Sequence, residues 1–235
     1  MKVMAFVFAR GGSKGIPRKN LRVVGHFPLV AHSVMMARRF VEPDCVFVST
    51  DSYEIASVAE EYGAQVIRRG PDLAGDNASE WDAWVHAVNL VLEERGPFDV
   101  FLSLPPTSPL RGVLDVENAL KALDDRTDFV VTMTEATRSP WFNIVRDTSA
   151  GLPTVMPTDG NNWTRRQDTP PLFDLTTVAY VGRPSFIRRN SSLWDGRVKG
   201  VVVPRERGLD IDSELDLAFA EFLFERQGRR DRNAQ

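Results

Sequence analysis

Residues 3–20 read VMAFVFARGGSKGIPRKN. A short apolar run of Val, Met, Ala and Phe breaks into Gly11, Gly12 and Gly15, with Ser13 among them and Arg10, Lys14, Arg18 and Lys19 around them. Such a run, bounded by a glycine-rich loop, reads as a buried β-strand. In an open parallel sheet, ligands bind beyond the carboxyl ends of the strands, and the loop after the first strand is a common seat for phosphates. Three glycines allow backbone N–H groups to converge on an anion, and the four cations supply charge. The stretch therefore reads as a cradle for a triphosphate. A Walker A loop would end in Gly-Lys-Ser/Thr and a dinucleotide fingerprint would run G-x-G-x-x-G into a helix; neither pattern is present.

Working outward, runs rich in Val, Ile and Phe alternate with segments of helical period. Strands are expected at CVFVST (45–50), AQVIRR (64–69), DVFLSL (99–104) and DFVVTMT (128–134), and helices over 29–39, 52–62, 79–95 and 113–123. The second helix shows why: Ser52 can cap it, Ile55, Ala56 and Ala59 form one apolar face, and Gly63 ends it. Alternation of this kind predicts an α/β fold with a mostly parallel, Rossmann-like sheet flanked by helices. Over 138–175 the regular pattern stops and Pro, Trp, Asn and Arg accumulate, so an excursion of hairpins and loops is expected there. The pattern returns with TTVAYVG (176–182), RVKGVVVP (197–204) and an amphipathic helix over 213–227. One domain covers residues 1–228, and 229–235 reads as a loose tail.

With 29 basic and 32 acidic residues in 235, the net charge is -3, so no global positive field points to nucleic acid. The single cysteine, Cys45, sits in an apolar run and reads as a small buried hydrophobe, which fits a reducing compartment. No apolar run approaches 20 residues and no cleavable leader is visible, so a cytoplasmic protein without a membrane partner is expected. His26, His32 and His86 lack any zinc-ligand spacing. Trp81 and Trp84, at i and i+3 of one helix, read as core, whereas Trp163 in the excursion is a better ligand or interface candidate.

The segment ARGGSKGIPRKN resembles the signature of the acylneuraminate cytidylyltransferases, the CMP-sialic acid synthetases and related CMP-nonulosonic acid synthetases. STDS, LAGDNAS, PPTSPLR, RQDTPPLF and LDIDSELDL follow in the same order, so the resemblance spans nearly the whole chain. It implies a single-domain nucleotide-diphospho-sugar transferase fold, with the excursion serving as a dimerisation arm. It further implies attack of a sugar's anomeric hydroxyl on the α-phosphorus of CTP, with Mg2+ as cofactor and pyrophosphate as product. Arg10, Gly11, Gly12, Ser13, Lys14 and Lys19 would then hold the triphosphate, with Arg10 and Lys19 stabilising the reacting phosphorus. Asn20, Arg69 and Glu80 would bind the nucleotide, and Asp51 would lie near the site. Asp210 and Asp212, on one side of an extended LDID segment, would bind the metal, Asp212 in a catalytic role. Pro105, Thr107, Ser108, Arg166, Gln167, Phe173 and Tyr180 would line the sugar site of a homodimer.

The departures from that family pattern fall where sugar and base are read. Pro105 replaces a glutamine, Asp174 stands where arginine is common, and Asn143 replaces a lysine, which weakens electrostatic recognition of an acidic sugar. A phosphonate or sugar phosphate acceptor, or a nucleotide-binding protein that has lost the reaction, are the alternatives. Glu80 replaces a serine near the base; its carboxylate could accept from the cytosine amino group or from the adjacent donors of guanine.

Overall fold

A computed structural model of the chain describes residues 1–13, 15–75, 78–141, 143–146, 154–155, 163, 165 and 168–233. The opening apolar run forms β1 (Val3–Phe8). After the glycine-rich loop, β2 (Val23–Val24) and β3 (Phe27–Pro28) make a small hairpin that leads into α1 (Leu29–Ala37). Next come β4 (Val46–Thr50), α2 (Tyr53–Glu61), β5 (Gln65–Arg68), α3 (Glu80–Arg95), β6 (Val100–Ser103), α4 (Val113–Ala122) and β7 (Phe129–Glu135). The excursion carries the two-residue strands β8 (Val145–Arg146) and β9 (Thr154–Val155). The chain closes with β10 (Phe173–Gly182), α5 (Pro184–Arg189), β11 (Val198–Val202) and α6 (Glu214–Asn233).

Seven strands form one sheet in the order β11-β7-β10-β6-β1-β4-β5. β10 runs antiparallel to both neighbours, and the other pairings are parallel. Along β1 the side chains alternate between two cores, as the period of two requires. Ala5 and Val7 face α1, α2 and α4, while Met4 and Phe6 face α3 and α5. The second core is aromatic: Phe6 stacks on Phe101 with ring centroids 4.9 Å apart, and Trp84 stacks on Phe129 at 5.6 Å. Full burial of each such ring contributes about 1.5–3 kcal/mol. Trp81 and Trp84 therefore belong to the core, as their spacing predicted.

A third, smaller cluster lies beyond the carboxyl ends of the strands. Ile16 of the glycine-rich loop, Leu110, Ile211 of the LDID segment, and Leu217 and Ala220 of α6 are buried together there. It ties the loop after the first strand to residues almost 200 positions later. No helix among the described residues is long and apolar enough to cross a membrane.

Two boundaries differ from expectation. Phe173, Asp174 and Leu175 belong to β10 rather than to the excursion, paired with Glu135, Thr134 and Met133, because sheet pairing satisfies their backbone although their side chains stay exposed. The tail expected to be loose from 229 is helical to Asn233, since the intrahelical ladder of α6 continues without a breaker.

Candidate active site

The glycine-rich loop is held open by its own neighbours. The backbone N–H of Gly11 donates to Asp51 Oδ1 at 2.8 Å, and Asn20 Nδ2 donates to the Arg10 carbonyl at 2.9 Å. Asp51, at the end of β4, thus anchors the loop. Arg18 takes a left-handed conformation (φ 54) to turn the chain into the 3-10 turn over Lys19–Leu21. The result is a cavity of about 190 Å³ lined by Arg10, Gly12, Ser13, Gly15, Lys19, Asn20 and Asp212. Lys14 lies outside the described residues.

Lys19 Nζ reaches Asp212 Oδ1 at 2.8 Å, so the first motif of the sequence closes against the last. Gly15 is where the two segments touch: a Cβ there would collide with the Asp212 carbonyl oxygen. Gly15→Ala is expected to separate the loop from the LDID segment and to weaken nucleotide binding by about tenfold or more, by analogy with the cost of misplacing a reacting geometry. Isothermal calorimetry with CTP would check this, and unchanged affinity would mean that the contact has no bearing on the site.

Between the two aspartates, Ile211 is fully buried in the third cluster, which leaves Asp210 and Asp212 projecting to the opposite side of an extended segment. Asp212 is exposed in the cleft; Asp210 Oδ1 is buried without a hydrogen-bond partner. A buried carboxylate oxygen without a donor is costly unless a cation completes it. No group of three metal-ligating side chains occurs among the described residues. Two carboxylates suit magnesium beside a triphosphate, because that ion takes few protein ligands and fills its shell with phosphate oxygens and water.

The PPTSPLR segment lies beneath this floor. Pro105 and Ser108, expected at the substrate, are buried instead: Ser108 is 0% exposed, and its hydroxyl donates to the Leu209 carbonyl at 3.2 Å and meets Thr177 Oγ1 at 2.7 Å. Thr107 Oγ1 also meets Thr177, at 3.2 Å, and the Thr107 carbonyl accepts from Ile211 N at 2.9 Å. These residues therefore position the aspartate segment. Thr177 is available because β10 bulges, its pairing with β7 shifting between Thr176 and Tyr180.

Arg111, which the sequence reading did not single out, is the centre of this layer. It is 5% exposed and donates through Nη1 to Ser33 Oγ (2.8 Å) and through Nη2 to the carbonyls of Pro105 and Thr177. Burial pulls its guanidinium down to about 9, against the upward pull of Asp115 and Asp210. Asp115, nearly buried, is held by a bidentate pair with Arg207 at 2.7 and 2.9 Å. Only a signal for burial could have revealed Arg111, and an arginine closing a proline-rich loop does not carry one.

A second cavity, about 250 Å³, adjoins the loop through the shared Arg10 and is lined by Phe8, Arg69, Leu73, Gly75, Ala78, Ser79 and Glu80. Arg69 donates to the carbonyls of Ser49 (3.1 Å) and Leu73 (3.4 Å), and burial lowers its pKa. Glu80 remains open to solvent at the cleft, yet crowding by protein pushes its carboxyl up; Trp84 and Arg69 oppose that rise and Asp210 adds to it. Tyr180 packs against Trp84 at 5.3 Å, and burial, with Glu80 and Asp210, raises its phenol, so it is a neutral donor. Phe173 lines a separate cavity at the root of the excursion with Arg138, Ser139 and Thr169 to Leu172. Arg166 and Gln167 lie outside the described residues. Cys45 is remote from the cleft, and burial pushes its thiol up, as befits an unreactive side chain.

A family model described as cytidylyltransferase matches residues 4–141. The chain is 31% identical over 226 residues to the CMP-N,N'-diacetyllegionaminic acid synthase of Campylobacter jejuni, covering 94% of each. It is 30% identical over 226 residues to the post-translational flagellin modification protein B of Campylobacter coli, again covering 94% of each. Among solved structures, CMP:2-keto-3-deoxy-manno-octonic acid synthetase complexed with CTP superposes with a TM-score of 0.69 at 16% identity, over 97% of this chain and 100% of the other, which shows a shared fold.

Proposed function

The chain belongs to the cytidylyltransferase family, and on that footing we propose that it transfers CMP from CTP to the anomeric hydroxyl of a sialic-acid-like, nonulosonic 2-keto sugar acid. The observation that carries this reading is the 2.8 Å contact between Lys19 and Asp212. It sets cations suited to a triphosphate against carboxylates suited to magnesium, beside a cavity large enough for a base.

In the reaction the anomeric oxygen forms a bond to the α-phosphorus, and the bond from that phosphorus to its bridging oxygen breaks. Pyrophosphate leaves with the electron pair, and the hydroxyl proton passes to water. Little covalent work falls to the protein, so positioning and neutralisation of charge supply the rate. Arg10 and Lys19 neutralise the developing charge. Asp210 and Asp212 would hold magnesium, which would supply neutralisation of the phosphate charge there. Arg69 and Glu80 stand at the base, and Tyr180 faces the acceptor side.

The acceptor class is supported by the relatives that are CMP-N,N'-diacetyllegionaminic acid synthases. The exposed Asp174 favours a sugar acid other than sialic acid itself, because a carboxylate where the family pattern commonly has arginine removes a cation that would attract the acid's charge. We place the enzyme in the cytoplasm as a homodimer joined through the excursion, whose hairpin exposes Ile144 and Val145; a one-chain mass in light scattering would remove the dimer.

The test is pyrophosphate release from CTP and magnesium with N-acetylneuraminate and several bacterial nonulosonic acids, and with sugar phosphates and phosphonates as contrasts. Turnover with a nonulosonic acid is the expected result. Turnover only with a phosphorylated acceptor would overturn the acceptor class. CTP binding without turnover on any of them would mark a nucleotide-binding protein that has lost the reaction.

A further inference from the structure

Resting on the reading of the cleft as a CTP site, we propose that Glu80 is the residue by which this protein tells cytosine from uracil. The cavity beside the phosphate loop shares Arg10 with it, so a base attached to a triphosphate held by Arg10 and Lys19 has this space in front of it. Among the described residues lining that cavity, Glu80 alone carries a carboxylate.

The other polar groups of the wall are largely engaged elsewhere. The Ser79 hydroxyl accepts from Trp81 N at 3.1 Å as the cap of α3, and the Gly75 carbonyl accepts from Arg10 Nη1 at 3.4 Å. Both terminal nitrogens of Arg69 donate to backbone carbonyls. What remains is Arg69 Nε, buried with no hydrogen bond, and the Glu80 carboxylate, toward which the Trp84 indole is turned from behind. A buried guanidinium N–H without a partner, in the wall that carries the carboxylate, is an expensive arrangement for a folded chain on its own. It suits a ligand that presents both a donor and acceptors.

Cytosine presents that combination at one edge, with the exocyclic amino group as donor and N3 and O2 as acceptors. A carboxylate can accept from the amino group, and the donors of the wall serve the acceptors. Uracil places O4, an acceptor, where cytosine has the amino group. Two acceptors would then face each other once the base has displaced the water at Glu80, which is the kind of mismatch that produces discrimination.

The test uses nucleotide binding, so it does not depend on knowing the acceptor. Affinities for CTP and UTP in the presence of magnesium are measured by calorimetry on the wild-type chain, on Glu80→Gln and on Glu80→Ala, with thermal midpoints as a control on folding. Wild type is expected to prefer CTP by roughly 100-fold or more. Glu80→Gln, whose amide can turn to donate to uracil O4, is expected to narrow that ratio by about tenfold or more, mainly by gaining affinity for UTP. Glu80→Ala should narrow it mainly by losing affinity for CTP. If wild type prefers CTP and folded variants keep the wild-type ratio, Glu80 does not read the base and the cytidylyltransferase reading stands. If wild type does not prefer CTP, the reading of the cleft fails first and this inference falls with it.

Discussion

Asp210→Asn is expected to lower the rate of pyrophosphate release at saturating CTP by about 10²–10³-fold, the cost typical of removing one group that stabilises charge in the transition state. The substitution is nearly isosteric, and Asp210 Oδ1 makes no hydrogen bond in the protein, so what is lost inside is its charge near the buried Arg111. Ile211 stays in its cluster and its N–H stays on the Thr107 carbonyl, so the segment keeps its place. The thermal midpoint should therefore hold while activity falls, and part of the loss should be recovered at higher magnesium. Asp212→Asn is a less clean variant, because it also releases Lys19 from its 2.8 Å contact. Normal turnover by Asp210→Asn, with acceptor and magnesium in excess, would sink the assignment of the metal to this segment.

Arg111→Met should act on stability rather than on a single step. It fills a similar volume without the guanidinium, leaving the Thr177 carbonyl without that donor, while the Pro105 carbonyl and the Ser33 hydroxyl keep only each other. The unpaired Thr177 carbonyl costs about 1–3 kcal/mol, and the loss of the charge-assisted hydrogen bonds to Ser33 and Pro105, which keep each other at 3.2 Å, adds to it, so a net loss of about 3 kcal/mol is expected. For a chain of this size that corresponds to a fall of roughly 6–12 °C in Tm. Arg111→Lys keeps the charge but not the fork, and should fall between the two. A Tm for Arg111→Met within about a degree of wild type, read against the scale above, would show that the buried arginine is not what holds this layer together.

The alternation of apolar runs with helical segments was enough to place the strands and helices of the α/β core, because burial against one or two faces imposes a period that local sequence must obey. Ser52 at the head of α2 is such a case: its hydroxyl accepts from Ile55 N at 3.4 Å, as a cap should. β10 shows the limit. Its run of Thr, Val, Ala and Tyr marked it as a strand, but nothing local encodes its antiparallel direction or the bulge that brings Thr177 beneath the cleft. Strand direction is settled by the connections and by the neighbours available for pairing, which no window of residues contains.

Within the cleft, the sequence by itself determined the chemistry: a glycine-rich loop with its cations, the LDID carboxylates, and a family pattern that joins them. Tertiary structure decided which of the motif residues line the cleft. PPTSPLR reads as a substrate motif, yet Pro105 and Ser108 are buried, and Thr107 and Ser108 hold the segment above them, while Asp51 anchors the loop and Arg111 carries a charge inside. A side chain's type fixes what it can donate or accept, whereas its exposure depends on packing by residues far away in the chain. Lys19 and Asp212, 193 positions apart and 2.8 Å from each other, meet only because the third cluster buries Ile16 and Ile211 together.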